Sequence, residues 1–567
     1  MIPMSRLDHW ARSWRGPVLA ALIALLAGLP GVLGLPTLDR DEARFAQATA
    51  QMLESGDFVS IQFQDQPRDK KPVAIHWLQS ASVAVTSSAA ARQIWAYRIP
   101  SLLGAMLAAG ACAWGAAAFF GSGRGWMAGT VLSASFLLST EAGIAKTDAV
   151  LCGAVTLALA ALGRVYLATR GQDAPTQVGW RTLLLFWSAI ALALLDKGPI
   201  GPMVVVLTGL TLWASDRRAP WARRLGWAWG LILVLAVVGP WAVAITVKTD
   251  GGFWGQAIGS DMAPKLKGGQ EGHGQPFGFH ALLSPLLFFP AAALLPAALI
   301  AGWKARAEPG VRFALCWLIP SWLVFELTPT KLPHYPLPLY GALAWLAVAA
   351  LDQSLGKASR WVGAGLSLLA GLIWMALPVA LALRFGGGSA LVWAVIAAIL
   401  AGAAGIVGAV IVLTHRRGLI LAVVIGLGVM AHGVIAGAVL PRLTPLWLSQ
   451  RAAALLTQAH MDPRQGLTPG PVTVVGYAEP SLVFALGTET ELGDVGDGGE
   501  AIAEGRPVLV EAREQAGFLA ELRADRLAAH PVGQVSGVDY SDGKASTLVL
   551  YRSDSPPPAE PGAPSSP

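Results

Sequence analysis

The chain has 567 residues, of which 54% are hydrophobic and only 13% charged, with a mean hydropathy of +0.54, whereas a soluble domain carries about 25% charged residues. These figures exclude an ordinary water-soluble globule and point to an all-α polytopic membrane protein. The net charge of +6 does not argue for nucleic acid as a partner, since the basic excess sits in short loops between apolar runs, where it sets orientation.

Membrane-crossing segments are predicted near 17–35, 99–119, 126–144, 149–168, 182–195, 199–213, 225–246, 281–302, 313–328, 335–351, 361–383, 389–413 and 418–440, about thirteen in all, each judged against the ~20 residues that hydrocarbon requires. The first follows Arg12 and Arg15 without a small-residue cleavage site and reads as a retained helix rather than a signal peptide. The segments at 182–195 and 199–213 are short and must extend into their flanks or be shielded by neighbours. Cys112, Cys152 and Cys316 all fall inside apolar runs, so neither a disulfide framework nor a thiolate metal cluster is expected.

The charges between these segments divide into two sets that alternate along the chain. One is plain Arg and Lys, as at Arg12/Arg15, Arg217/Arg218/Arg223/Arg224 and Lys304/Arg306/Arg312. The other is chemically mixed: Asp39-Arg40-Asp41-Glu42, Asp69-Lys70-Lys71, Lys146 and Asp148, Asp196-Lys197, the stretch from Asp261 to His273, Lys331, and His334-Tyr335. With the N-terminus in the cytoplasm and thirteen crossings, every plain-basic loop is cytoplasmic. Every mixed loop, and everything after residue 440, then lies on the opposite face.

Two outer loops are long. Residues 36–98 are predicted to hold two surface helices: one over about 42–55, with Asp41 as N-cap and Gly56 as terminator, and one starting at Pro72 and lying in the membrane interface. Residues 248–280, rich in Gly and polar side chains, read as a mobile loop that orders on binding. Domain boundaries follow: a membrane domain over 1–440, a small extracytoplasmic α/β domain over 441–556 and a disordered tail over 557–567. In the α/β domain, 472–475 and 507–510 read as buried strands, 512–528 as a helix and Ser541-Asp542-Gly543-Lys544 as a hairpin turn.

Each mixed motif has a structural reading beside a chemical one. Asp41 and Glu42 suit a helix N-terminus, and equally a base or metal ligand, with Arg44 on a phosphate. Lys70 and Lys71 suit lipid headgroups, Asp148 a helix start, and Asp196-Lys197 a turn with a snorkelling lysine. His273 reads as a solvated loop residue or a metal or phosphate contact. Three prolines around Lys331, His334 and Tyr335 fix the backbone there, which favours function. Glu326, at an apolar helix end, needs a partner. Five separated loops thus bring acids and bases to one membrane face, where lysines and arginines could neutralise a departing lipid phosphate while a carboxylate handles the nucleophile.

At these residues the chain resembles a known family. In order it carries Asp-Glu-x-Arg-Phe-Ala at 41–46, Ser-Gly-Asp-Phe at 55–58, Lys-Pro at 71–72, an Asp opening a helix at 148, Lys-Gly at 197–198, Pro-Phe at 276–277 and Lys-Leu-Pro-x-Tyr at 331–335. This order is similar to the polyprenyl-phosphate-sugar glycosyltransferases of GT-C fold, above all the lipid A 4-amino-4-deoxy-L-arabinose transferases and their protein-mannosyltransferase-like relatives. The resemblance implies inverting transfer of a sugar from a polyprenyl monophosphate to a lipid or glycan acceptor at the periplasmic face of a bacterial inner membrane. It implies Asp41 and Asp148 as functional acids, Arg44, Lys71 and Lys331 as bases near the donor phosphate, and Tyr335 as a cavity-lining tyrosine. The set of substrate contacts is completed by Glu42, Lys197, His273 and His334. The family's Glu before Lys-Pro is here Lys70, and its Thr before the tyrosine is here His334. The residues point to no particular cofactor, and a divalent metal held by the carboxylates stays open. A flippase for a lipid-linked sugar and a non-catalytic assembly protein are the competing readings. The first would carry internal repeats and midplane charges; the second would be indifferent to Asp41, Lys71 and Lys331.

Overall fold

The computed structural model describes residues 9–170, 178–269, 272–351, 353–414, 417–465 and 470–554; the tail expected to be disordered, 557–567, lies outside them. Helices occur at each of the thirteen predicted positions, and among the described residues eight are long and apolar enough to cross a membrane, including Arg15–Gly34, Ile94–Phe120, Thr147–Leu167, Trp227–Lys248 and Gly388–Leu413. Two predicted segments are broken rather than continuous. The segment at 126–144 divides at Ser135 into Ser122–Ala134 and Phe136–Ala142. There the Phe136 amide donates to Phe289 O (2.9 Å) instead of continuing the helical ladder, while Ser135 Oγ donates to Leu132 O (2.8 Å). The segment at 281–302 divides around Pro290 into Phe279–Leu287 and Leu295–Lys304.

Helix packing relies on small residues, as expected where lipid is as apolar as the protein core. At Gly104 an added Cβ would lie 2.7 Å from the backbone of Ala149 and Val150. The helices Ile94–Phe120 and Thr147–Leu167 therefore touch backbone to backbone, one residue beyond Asp148. The largest cluster of buried side chains, including Trp317, Trp345, Phe313 and Tyr340, fills the bundle below this contact.

The first long loop carries the helices Asp41–Ser55 and Ala74–Thr86, separated by a short hairpin of β1 (Gln62–Phe63) and β2 (Gln66–Pro67). Asp41 is the first helical residue and not the N-cap: Arg40 occupies that place at φ +65°, with no side-chain cap. Gly56 ends the helix at φ +70°, a conformation that glycine adopts without strain. The second helix turns Ile75 inward and, with Val73 just before it, buries one apolar face against the protein, while Leu78 and Val85 stay exposed on the other. The loop expected to be mobile is helical over Gly252–Lys267, with Phe253, 1% exposed, packed on Trp241 at 5.2 Å.

Beyond the bundle, the chain forms a five-stranded mixed sheet in the order β4 (Glu491–Gly493), β3 (Thr473–Val475), β5 (Val508–Glu511), β7 (Lys544–Ser553), β6 (Ala529–Asp539). Its first three strands are parallel, and β6 and β7 form an antiparallel hairpin turned at the predicted Ser541–Lys544. This unit sits on the Asp41–Ser55 helix. Phe484 meets Tyr97 edge to face at 5.3 Å, Gln47 Nε2 donates to Thr488 Oγ1 (2.8 Å), the Ser481 amide donates to Asp39 Oδ1 (3.2 Å), and Arg40 lies 3.7 Å from Glu479.

Candidate active site

Five charged or polar side chains from four elements meet in one buried network at the end of the bundle where the first long loop packs. Lys146, in the extended residue before the Thr147–Leu167 helix, lies 3.0 Å from Glu141 and 3.5 Å from Asp148. Lys197, closing the Trp180–Lys197 helix, reaches Asp148 at 2.5 Å. His334 joins them from the proline-rich loop, with Nε2 3.6 Å from Asp148 and Nδ1 3.8 Å from Glu141. The sequence expectation of a snorkelling lysine at 197 is thus corrected, since its ammonium turns inward to a carboxylate and lies 5.6 Å from the Tyr335 ring. Burial, together with the neighbouring Lys146, Lys197 and Lys71, holds the His334 imidazole well below its ordinary pKa despite Asp148. His334 is therefore neutral, able to donate from one nitrogen and accept at the other.

Above this network stand side chains that are not engaged. Asp41 is half-buried, and among the described residues it makes neither a hydrogen bond nor an ion pair. Burial would raise its pKa, but the fields of Lys71, Lys146 and Arg68 outweigh that and hold it at about 2. The Lys71 ammonium sits over the Phe45 ring at 5.2 Å, with the Arg68 guanidinium 5.1 Å from the same ring. Burial and the neighbouring Lys197 pull Lys71 down to about 8. Arg44, one helical turn from Asp41, has no partner among the described residues. Asp41 and Lys71 therefore act on each other through space without a direct ion pair, and Arg44 follows three residues along the Asp41 helix.

Three predicted site residues have other partners. Glu42 is 1% exposed, and its two oxygens take Arg98 Nε (2.8 Å), Arg98 Nη2 (2.7 Å), the Leu38 amide (2.8 Å) and the Ala145 amide (2.7 Å). With every lone pair direction occupied, it ties loop, helix and bundle together rather than facing a substrate. Lys331 is 3% exposed; its Nζ donates to Gln275 O (2.8 Å) and its amide to His273 O (3.0 Å). Lys331 and His273 thus stitch the 248–280 loop to the proline-rich loop through backbone groups. Asp148 is in place but fully paired.

Two residues that the sequence does not single out, Glu141 and Arg98, join the site, and two that it does, Asp196 and Glu326, find their surroundings here. Glu141 lies inside an apolar run, the one local signal that such an acid is used. Arg98 is fully buried under Glu42, and nothing local announces that pair. Asp196 is 0% exposed with neither oxygen hydrogen-bonded, and its nearest charges are Lys197, Asp148 and Lys71. Glu326 finds its partners in the Gly278 and Ala281 amides (2.9 and 3.1 Å), at the start of the Phe279–Leu287 helix.

A divalent metal does not fit this arrangement. Lysine ammonium groups stand between the network carboxylates, and no group of three His, Cys, Asp or Glu among the described residues could hold an ion.

No family model matches the chain. Among curated proteins it is similar to the undecaprenyl phosphate-alpha-4-amino-4-deoxy-L-arabinose arabinosyl transferase of Pseudomonas paraeruginosa, at 31% identity over 331 residues, covering 58% of each chain. The protein of that name from Aeromonas salmonicida is 29% identical over 354 residues, covering 61% of this chain and 62% of its own. The chain thus spans a little under two thirds of these relatives' length. Among solved structures, ArnT from Cupriavidus metallidurans bound to undecaprenyl phosphate superposes with a TM-score of 0.74 over 94% of this chain and 97% of that one, at 21% identity; its apo form gives 0.71. The fold is shared with that protein, and the resemblance carried by the motifs is borne out by the names of the relatives.

Proposed function

We propose that the chain is an inverting integral-membrane glycosyltransferase that moves a sugar from a polyprenyl (undecaprenyl) monophosphate to a lipid A-like or other envelope acceptor. In this reading it lies in a bacterial inner membrane with thirteen crossings, a cytoplasmic N-terminus, and the site and the 441–556 domain on the periplasmic face. The observation that carries the proposal is the pair of unengaged charges, Asp41 and Lys71, held beside the closed Glu141–Lys146–Asp148–Lys197–His334 network, with Arg44 three residues along the Asp41 helix. The names of the relatives and the undecaprenyl phosphate bound to ArnT support the choice of donor.

The donor phosphate would lie against Lys71 and Arg44, with Arg68 behind Phe45. As the bond from the anomeric carbon to the phosphate oxygen breaks, the charge gathering on the phosphate is met by cations already in place, the largest single contribution such a site can make. The buried network keeps its own charges balanced, so the free cations are available to the ligand. Asp41, held at about 2, is a poor match for removing a proton from a hydroxyl. An acceptor oxygen that is already ionised, such as a phosphate, needs no such base. Asp41 then orients the sugar's hydroxyl or amino groups and keeps Lys71 in position.

The test is reconstitution into vesicles with a polyprenyl-phosphate sugar and acceptor lipids. Release of polyprenyl monophosphate with labelled acceptor, lost in Asp41→Asn and Lys71→Met, is the expected result. Movement of intact donor between leaflets without release would replace transfer by transport.

A further inference from the structure

We infer that the chain holds a second, separate lipid site, for the phosphate headgroup of an anionic phospholipid, at the end of the bundle opposite the candidate active site. A cavity of about 440 Å³ opens there, lined by Ser13, Trp14, Pro17, Trp114, Ser122 and Arg164, within the range of small-ligand pockets. Arg164 stands in the last turn of the helix that Asp148 opens. Sixteen residues at 1.5 Å per residue separate the two by about 24 Å, nearly the thickness of hydrocarbon. The pocket therefore cannot be a subsite of the network around Asp148.

Its depth is that of a headgroup. Trp14 is 65% exposed. Trp180, Trp227 and Trp303, also exposed, mark the same end of the bundle: Trp180 begins the helix that Lys197 closes at the site, and Trp227 begins the one whose Lys248 pairs with Asp57 in the first long loop (2.6 Å). Exposed tryptophans collect where acyl chains meet headgroups.

Its chemistry is that of an anion site. The Arg164 guanidinium stacks on Trp114 at 4.4 Å and donates from Nη2 to Trp114 O (3.1 Å), while its Nε–H is buried without a partner. No carboxylate among the described residues faces it. The contrast is Arg170, close by in sequence, which with Arg312 and Tyr166 converges on Asp216. A buried guanidinium N–H left open is costly unless something fills the position. Ser122 begins a helix whose positive end borders the same cavity. A phosphate in this cavity would meet the open Arg164 Nε–H, with its glyceride on Trp14 and Pro17. This inference depends on the membrane embedding and not on glycosyl transfer.

The test uses the full-length protein in a neutral detergent and native mass spectrometry after addition of phosphatidylglycerol, phosphatidylcholine or inorganic phosphate. Wild type should retain phosphatidylglycerol in preference to phosphatidylcholine. Arg164→Gln should retain roughly tenfold less, the factor carried by one charge-assisted contact. Ser13→Asp is the second variant. Ser13 is exposed at φ +60°, where Asp is tolerated, so the substitution leaves the fold alone while offering Arg164 a carboxylate; it should lower retention as well. Equal retention by wild type and both variants would overturn the site. An Arg164-dependent rise in melting temperature with inorganic phosphate alone, equal to that with phosphatidylglycerol, would overturn its assignment to a lipid. Loss of transfer activity in Asp41→Asn with lipid retention unchanged keeps the two readings apart.

Discussion

Asp41 and Lys71 differ from the charged residues beneath them in having no bonded partner, and their pKa values state what that means. Asp41 is ionised at any physiological pH, so replacing it by Asn removes a charge and not a proton carrier. The expected outcome of Asp41→Asn is a fall in kcat of about 10²–10³, the size of a lost electrostatic contact in a reacting centre, with no change in the pH profile between pH 5 and 8. A wild-type rate that rises with a pKa near 6 and loses that limb in the mutant would instead make Asp41 a general base. Lys71 is a cation below about 8 and neutral above it. Affinity for the anionic donor should therefore fall as pH rises from 7 to 9, by about tenfold, following the charged fraction of one such amine. Lys71→Arg, whose guanidinium stays charged, should remove that dependence. A KM that is flat across this range in the wild type would show that Lys71 does not meet the phosphate.

At the scale of elements, the Asp41–Ser55 helix is positioned from two sides. Below it, Glu42 and Arg98 form a fully buried, bidentate pair (2.8 and 2.7 Å). Arg98→Met leaves an uncompensated buried carboxylate, which costs about 3–5 kcal/mol and should appear as a lowered melting temperature in detergent; an unchanged midpoint would mean that water reaches Glu42. Above it, the sheet domain rests on Asp39 through Ser481 and Tyr540. Burial and then Asp539 act on this contact, raising Asp39 to about 6; burial and then Asp39 raise Glu479 to about 7. Folded-state values above the unfolded ones mean that docking is favoured at low pH and penalised as these groups ionise through 6 to 7. Hydrogen-exchange protection factors over residues 479–490, corrected for the intrinsic pH dependence of exchange, should therefore be higher at pH 5.5 than at pH 8, and equal protection at both would remove the acidic cluster from the interface.

At the scale of the whole molecule, the features readable in sequence are those that repeat or that act locally. Apolar runs mark every bundle helix, Gly56 marks the end of the Asp41 helix, and Ser541–Lys544 marks the hairpin, because hydrophobic length, left-handed glycine and turn chemistry are properties of neighbours in the chain. What was not readable depends on partners far apart. Glu42 looked like a site residue because its motif carries it, yet Arg98, 56 positions away, occupies it. The resemblance puts Lys331 near the donor phosphate, and its ammonium closes on Gln275 O. The glycines of loop 248–280 do not announce that Phe253 packs on Trp241. Glu141 was hidden by the apolar run around it. The convergence of Lys146, Asp148, Lys197 and His334 follows from the alternation of charged loops along the chain, whereas their pairing does not.

The central claim is tested most directly by mass spectrometry of envelope lipids and glycans from cells that carry the chain, lack it, or carry Asp41→Asn. The account predicts that one sugar-sized mass increment on an envelope acceptor disappears in both the deletion and the mutant. Unchanged products in all three, or accumulation of a lipid-linked sugar on the inner leaflet alone, would contradict it.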